Sequence, residues 1–231
     1  MFAVSSTIPS RPESIELIGG HPALDLVNTV SWRHDTHRWR ENLALPLDLL
    51  TWTHRAALLD DHHLTAIRFA MAEEPETAEG ALRRVHELRE QLYHHLADCI
   101  DDRGGEQQIG EGSPLHRAFA DAVTASSLAG TPARWTLEAH DPLDLTRVLA
   151  LHALDLVQTI PPDRLRRCDD DGCGWLFLDS TRNHSRRWCS SGDCGNRDRA
   201  RRHYARNRTT ARGDASSPLG MGTSSTRDDR P

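Results

Sequence analysis

Four cysteines, Cys168, Cys173, Cys189 and Cys194, follow the spacing C-x4-C-x15-C-x4-C. Two close pairs separated by a hairpin-sized insert are what a tetrahedral Zn(II) site needs. Each pair comes from one tight turn, and the insert folds the pairs together. The turns carry suitable glycines. "CDDDGCG" has Gly172 and Gly174, and "CSSGDCG" has Gly192 and Gly195, where a knuckle must turn its backbone amides toward sulfur. The second pair opens a helix, whose free amides and positive end favour thiolate. Reduced thiols, a disulfide or an iron–sulfur cluster are the alternatives. The repeated spacing, and the need of so small a module for a staple, favour zinc. Four thiolates leave no coordination position for water, so the zinc is expected to be structural and the chain not an enzyme.

Behind the second pair runs "CGNRDRARRHYARNR", with Arg at 197, 199, 201, 202, 206 and 208. Ala200 and Tyr204 stand four apart and predict a stripe packed on the hairpin. Arg197, Arg201 and Arg208 then fall on one flank and Arg199, Arg202 and Arg206 on the other. Asp198 can pair with Arg202 one turn on. Asn196 is placed to cap the helix or touch a base, and Arg182, Arg186 and Arg187 add to the same positive field. The sequence has no Lys, so every base is a guanidinium, suited to planar, two-pronged contact with phosphate or guanine. Residues 1–160 hold 13 Arg against 24 Asp and Glu, a charge of −11, whereas residues 161–212 hold 13 Arg against 7 Asp, a charge of +6. This split points to a polyanion partner for the basic end alone. A second use is local: four thiolates on one zinc carry −2, and some of these arginines can balance it.

The elements that must position these groups are mostly helical. "IELIGGHPALDLVNTVSW" reads as a short strand or turn leading into a helix. Helices are predicted from Pro46, from Asp60 or Asp61, from Pro75 to about Ile100, from Ser113-Pro114 to Gly130, and from Asp141-Pro142 to Pro161. "ARWTLEA" reads as a strand. In the basic module, "WLFLD" and "SRRWC" predict a hairpin turning at Thr181–His184. The fold class is mainly α: a helical N-terminal domain with few short strands, plus a small treble-clef-like finger of β-hairpin and helix. The expected boundaries are a frayed 1–14, a body at 15–160 that folds without the finger, a finger at 164–210 and a disordered tail at 213–231. Cys99 is expected to pack in the core. The paired histidines at 62–63 and 94–95 are read as surface or packing residues. No stretch approaches the roughly 20 apolar residues of a membrane span, and the start does not resemble an export signal. With five cysteines, this places the chain in a reducing cytoplasm.

The run "CGWLFLDSTRNHSRRWCSSGDCGNRDRARRHYAR" closely resembles the CGNR zinc finger, whose tetrad is here Cys194-Gly195-Asn196-Arg197. "GGHPALDLVNT" and the helical body resemble the ABATE domain, which usually precedes that finger in bacterial proteins classed as stress-induced transcription regulators. The resemblance carries the zinc ligands onto the four cysteines and implies a DNA-binding finger on a domain with an effector of unknown nature. Family members usually have Lys where this helix has Asp198 or Arg199. Asp25, Asn28 and Thr29, beside Gly19-Gly20, form a polar cluster that is a candidate ligand site or a set of helix caps. The functional expectation is therefore a DNA-binding transcription regulator, with an adaptor that binds RNA or protein as the alternative. The oligomeric state is left open.

Overall fold

The structure, a computed structural model, describes residues 15–102 and 108–214, with side chains described through Asn207. The expectations for residues 1–14, for the tail past Asp214 and for the Arg208 side chain lie outside these. Five helices of the body begin on proline: α1 (Pro22–Val27), α2 (Pro46–Arg55), α4 (Pro75–Asp101), α5 (Pro114–Thr124) and α6 (Pro142–Thr159). Proline suits the first turn because its ring fixes a helical φ where no backbone donor is needed. Side chains complete the caps. Asp60 accepts from the His63 amide ahead of α3 (Asp61–Glu73), and Ser113 accepts from His116 at α5. Asp141 and Asp144 cap α6 reciprocally.

α4 and α6 pack together at the centre, with α5 beside them and α1, α2 and α3 around the rest. Leu82, Val85, Leu88, Leu92 and Leu96 of α4 are all buried, as their helical spacing predicts, and meet Leu145, Leu149 and Leu156 of α6. Burying each such leucine stabilises by roughly 1.5–3 kcal/mol. One charge sits inside this packing. Arg89, only 3% exposed, bonds both oxygens of Glu41 at 2.8 and 2.6 Å and also reaches Glu90 and Thr29. Burial works against its charge, but Glu41 and Glu90 more than offset this, so its pKa is raised. The pair ties α4 to the short ribbon β1 (Val30–Ser31) and β2 (Arg40–Glu41). Cys99 packs half-buried at the edge of the same core.

Two local expectations change. α5 stops at Thr124 rather than Gly130, and Ser127–Ala129 forms β3 paired antiparallel with β4 (Arg134–Thr136). The Thr124 and Ser126 hydroxyls bond carbonyls one turn back, at Ala120 and Ala122, around the helix end. Gly130, at φ +87°, turns the hairpin instead. The basic module supplies β5 (Leu165–Arg167), β6 (Leu176–Leu178) and α7 (Cys194–Asp214). Its hairpin is β5 with β6, Leu165 facing Leu178 and Arg167 facing Leu176. Residues 185–189, expected as a strand, are irregular. Leu165 and Leu176 also belong to the main core, so apolar packing continues from the body into the basic module. Among the described residues no helix is long and apolar enough to cross a membrane.

Candidate metal centre and the seam that holds it

The β5–β6 hairpin carries the first knuckle at its tip. The Cys168 amide donates to the Trp175 carbonyl, and the Cys173 amide to that of Asp170. Gly174 lies at φ +74°, and a Cβ there would stand 2.8 Å from that of Arg33, so both conformation and space demand glycine. The second knuckle runs from Cys189 into the first turn of α7, closed by the Gly195 amide on the Ser190 carbonyl. All four cysteines are buried, and their sulfurs lie within 4.8 Å of one another. The Cys173 and Cys189 sulfurs are 3.7 Å apart, and those of Cys189 and Cys194 are 3.4 Å apart. Tetrahedral zinc with bonds of about 2.3 Å separates its sulfurs by about 3.8 Å, so the cage fits one such ion. The thiols constrain one another. Hydrogen bonds from Cys173, then Cys189 and Cys194, push Cys168 toward thiolate, while contact with Cys168 first pushes Cys189 and Cys194 up. Only a cation lets all four ionise together. The cysteines at 168, 173, 189 and 194 are thus positioned to bind one metal ion, as their spacing predicts.

The family model of the CGNR zinc finger matches residues 164–207. The ABATE model, described as "Putative stress-induced transcription regulator", matches residues 20–166. The chain belongs to the ABATE family. No curated protein matches the chain.

The CGNR arginine, Arg197, serves the metal site itself. Its Nη2 lies 2.7 Å from the Cys194 sulfur, its Nε bonds the buried Asp170 at 3.2 Å, and Nη1 pairs with Asp193. Burial disfavours its charge, but Cys194, Asp193 and Asp170 outweigh that and raise its pKa. Arg186 is also committed inward. It lies over the Phe177 ring and donates to the carbonyls of Ile18, Trp188 and Cys189. Asp179 organises the loop between the knuckles, accepting from the Thr181 and Arg186 amides. This is why "SRRWC" is held as a loop and not as a strand. The other candidate cations lie outward. Arg182, Arg187, Arg199, Arg201, Arg202 and Arg206 are all exposed, as is Asn196. Arg187 pairs with Asp169, Arg201 reaches Asp170 at 3.4 Å, and Arg202 pairs with Asp198 at 2.8 Å as its spacing predicts. The expected packing stripe is absent: Ala200 is exposed and Tyr204 is 69% exposed. Phe177 and the thiols already fill the finger's small core, and among the described residues no side chain of α7 past its first turn joins that cluster.

The ABATE motif Gly19 to Thr29 is the socket for the finger. Asn28, fully buried, donates to the Leu176 carbonyl at 2.8 Å and accepts from the Leu176 amide at 2.9 Å, pairing with the free edge of β6 as another strand would. Leu178 donates to the Gly19 carbonyl, and the Trp175 indole to that of Val30. Gly20, at φ +83°, lies where a Cβ would come 3.3 Å from that of Leu178. Asp25 accepts from the Gly19 amide, and burial raises its pKa despite that bond. Thr29 donates to the Leu26 carbonyl and accepts from Arg89. Asp25, Asn28 and Thr29 are therefore engaged by bonds within the chain, which favours the structural alternative of the two readings over a ligand site.

Sequence reasoning missed the body's side of the metal site. The Arg33 and His34 amides donate to the Cys173 and Gly172 carbonyls. Arg38 and Arg197 both lie over the Trp32 ring, at 3.6 and 4.4 Å, with Trp32 itself held at φ +57°. The run "SWRHDTHRW" marks these residues only as aromatic and basic, since their partners lie on the far side of the sequence.

Two outcomes are expected. Purified protein should contain about one zinc per chain; Cys194→Ser should lose it and Cys99→Ser keep it, measured by elemental analysis. Full zinc in Cys194→Ser would contradict the ligand set. Asn28→Ala should lower unfolding free energy by about 2–4 kcal/mol in urea titration, because it strands a buried amide and carbonyl of β6. An unchanged midpoint would contradict the seam.

Proposed function

We propose that the chain is a DNA-binding transcription regulator that meets duplex DNA through α7 and the adjoining finger surface. The observation that carries this reading is the exposure of α7: every side chain from Arg199 to Asn207 faces solvent. A helix of this length extends about 30 Å, and a major groove about 12 Å wide admits one. Exposed arginines on it and on the preceding loop give a basic surface attached to an acidic body. The description of the ABATE family agrees with this reading. The zinc has a structural role here, holding the first turn of α7 and hence the direction of the rest.

The arginines divide by task. Arg186 and Arg197 stabilise the finger, while Arg182, Arg187, Arg199, Arg201, Arg202 and Arg206 are the contact set. A second reading has one observation in its favour. Tyr204 stands exposed among arginines, an arrangement that can stack on unpaired bases. An RNA-binding adaptor would then prefer single strands.

The full zinc-loaded protein should bind duplex with a log–log salt slope of about −4 to −5, as for roughly five neutralised phosphates. Arg199→Ala should remove about one unit of slope if it meets a phosphate, or leave the slope and relax discrimination at one base pair if it meets a guanine. Tighter binding to single strands would favour the second reading. Equal binding at about 50 and about 200 mM salt would rule out both.

A further inference from the structure

A cavity of about 720 Å³ opens on the side of the body, between α6, the α2–α3 connection and the β3–β4 hairpin. Its volume lies within the range of small-molecule sites. Its apolar lining comes from Leu58 and Leu59, Val148 and Leu151 of α6, Trp135 of β4 and Leu137. Trp135 is 40% exposed.

The charged groups are mostly acidic. Asp60, Glu138 and Asp155 line the cavity against a single guanidinium, Arg134. His63 sits between two of these carboxylates, 2.7 Å from Asp60 and 3.4 Å from Glu138. Burial alone would lower its pKa, but the two acids reverse this and raise it. Asp155 is half-exposed and meets His21 at 3.1 Å. His152 lines the same space from α6, and burial lowers its pKa. Acidic groups thus line a space where leucines and an indole also converge. An anion would meet three carboxylates against one guanidinium here, with His63 and His21 already beside those acids.

We propose that this cavity binds a small molecule that joins a planar apolar body to a protonated amine. The indole and the leucines take the planar part, with Trp135 stacking on it or on the cation. Glu138 and Asp155 take the amine, and His152 supplies one further hydrogen bond. This site is separate from the finger and does not depend on the nucleic-acid reading.

The test uses full zinc-loaded protein titrated calorimetrically with tryptamine, and with indole-3-acetate as the same ring carrying the opposite charge. Tryptamine should saturate one site and bind roughly tenfold more tightly than the acid. Trp135→Ala, a change on the exposed hairpin, should weaken tryptamine about fivefold. Glu138→Gln combined with Asp155→Asn should bring amine and acid to similar affinity, with thermal melting to verify that each variant is folded. No saturation by tryptamine at about 10 mM, an acid that binds as tightly as the amine, or an affinity unchanged by Trp135→Ala would each overturn the proposal.

Discussion

Four sulfurs packed within 4.8 Å of one another cannot all lose their protons unless a cation sits among them. Once one does, two negative charges remain to be met in a space almost closed to water. That constraint places much of the finger. Arg197 lies against the Cys194 sulfur and is itself held by Asp170, which is 1% exposed and also faces Arg201. Because Arg197 stands in the first turn of α7, neutralising the cluster and fixing the root of the helix are one interaction. The helix beyond that turn needs no packing surface of its own to point in a fixed direction.

The same knuckle is gripped from the body. A three-residue hairpin edge such as β6 would present unpaired backbone groups, and Asn28 covers it with an amide that mimics a neighbouring strand. The Arg33 and His34 amides cap the Gly172–Cys173 carbonyls, and Trp32 meets the guanidinium of Arg197. Apolar packing crosses the junction as well, through Leu165 and Leu176. The ABATE domain therefore does more than precede the CGNR finger in the chain. It completes the finger's hairpin and braces its metal site, so a change in the body at Gly19–His34 reaches the base of α7 through few bonds.

Much of this was legible in the sequence because its causes are local. Cysteine spacing named the ligands, proline and capping acids marked the helix starts, and leucine periodicity in α4 gave the buried face. The misread elements turned on choices between distant partners. Leu176–Leu178 pairs with Leu165–Arg167, a segment too rich in arginine to look like a strand, while "SRRWC" is drawn into a loop by Asp179. Tyr204 has helical spacing from Ala200, but spacing cannot tell whether a surface exists for the stripe to meet. Asn28 and its partner Leu176 are 148 residues apart, so its polar character was visible and its purpose was not. Likewise the sequence put Arg197 and Arg199 on opposite flanks, and only the fold shows that Arg197 lies against the Cys194 sulfur while Arg199 is exposed and reaches the Ser191 carbonyl.

If the metal, the knuckle and the body socket form one unit, its loss should be felt on both sides of the seam. Amide hydrogen exchange of the full chain, followed by mass spectrometry before and after zinc is chelated, measures this directly. The account predicts that peptides spanning Gly19–His34 in the ABATE domain lose protection together with those spanning Cys168–Arg197. Faster exchange confined to the finger, with Arg33 and His34 as protected as before, would contradict it.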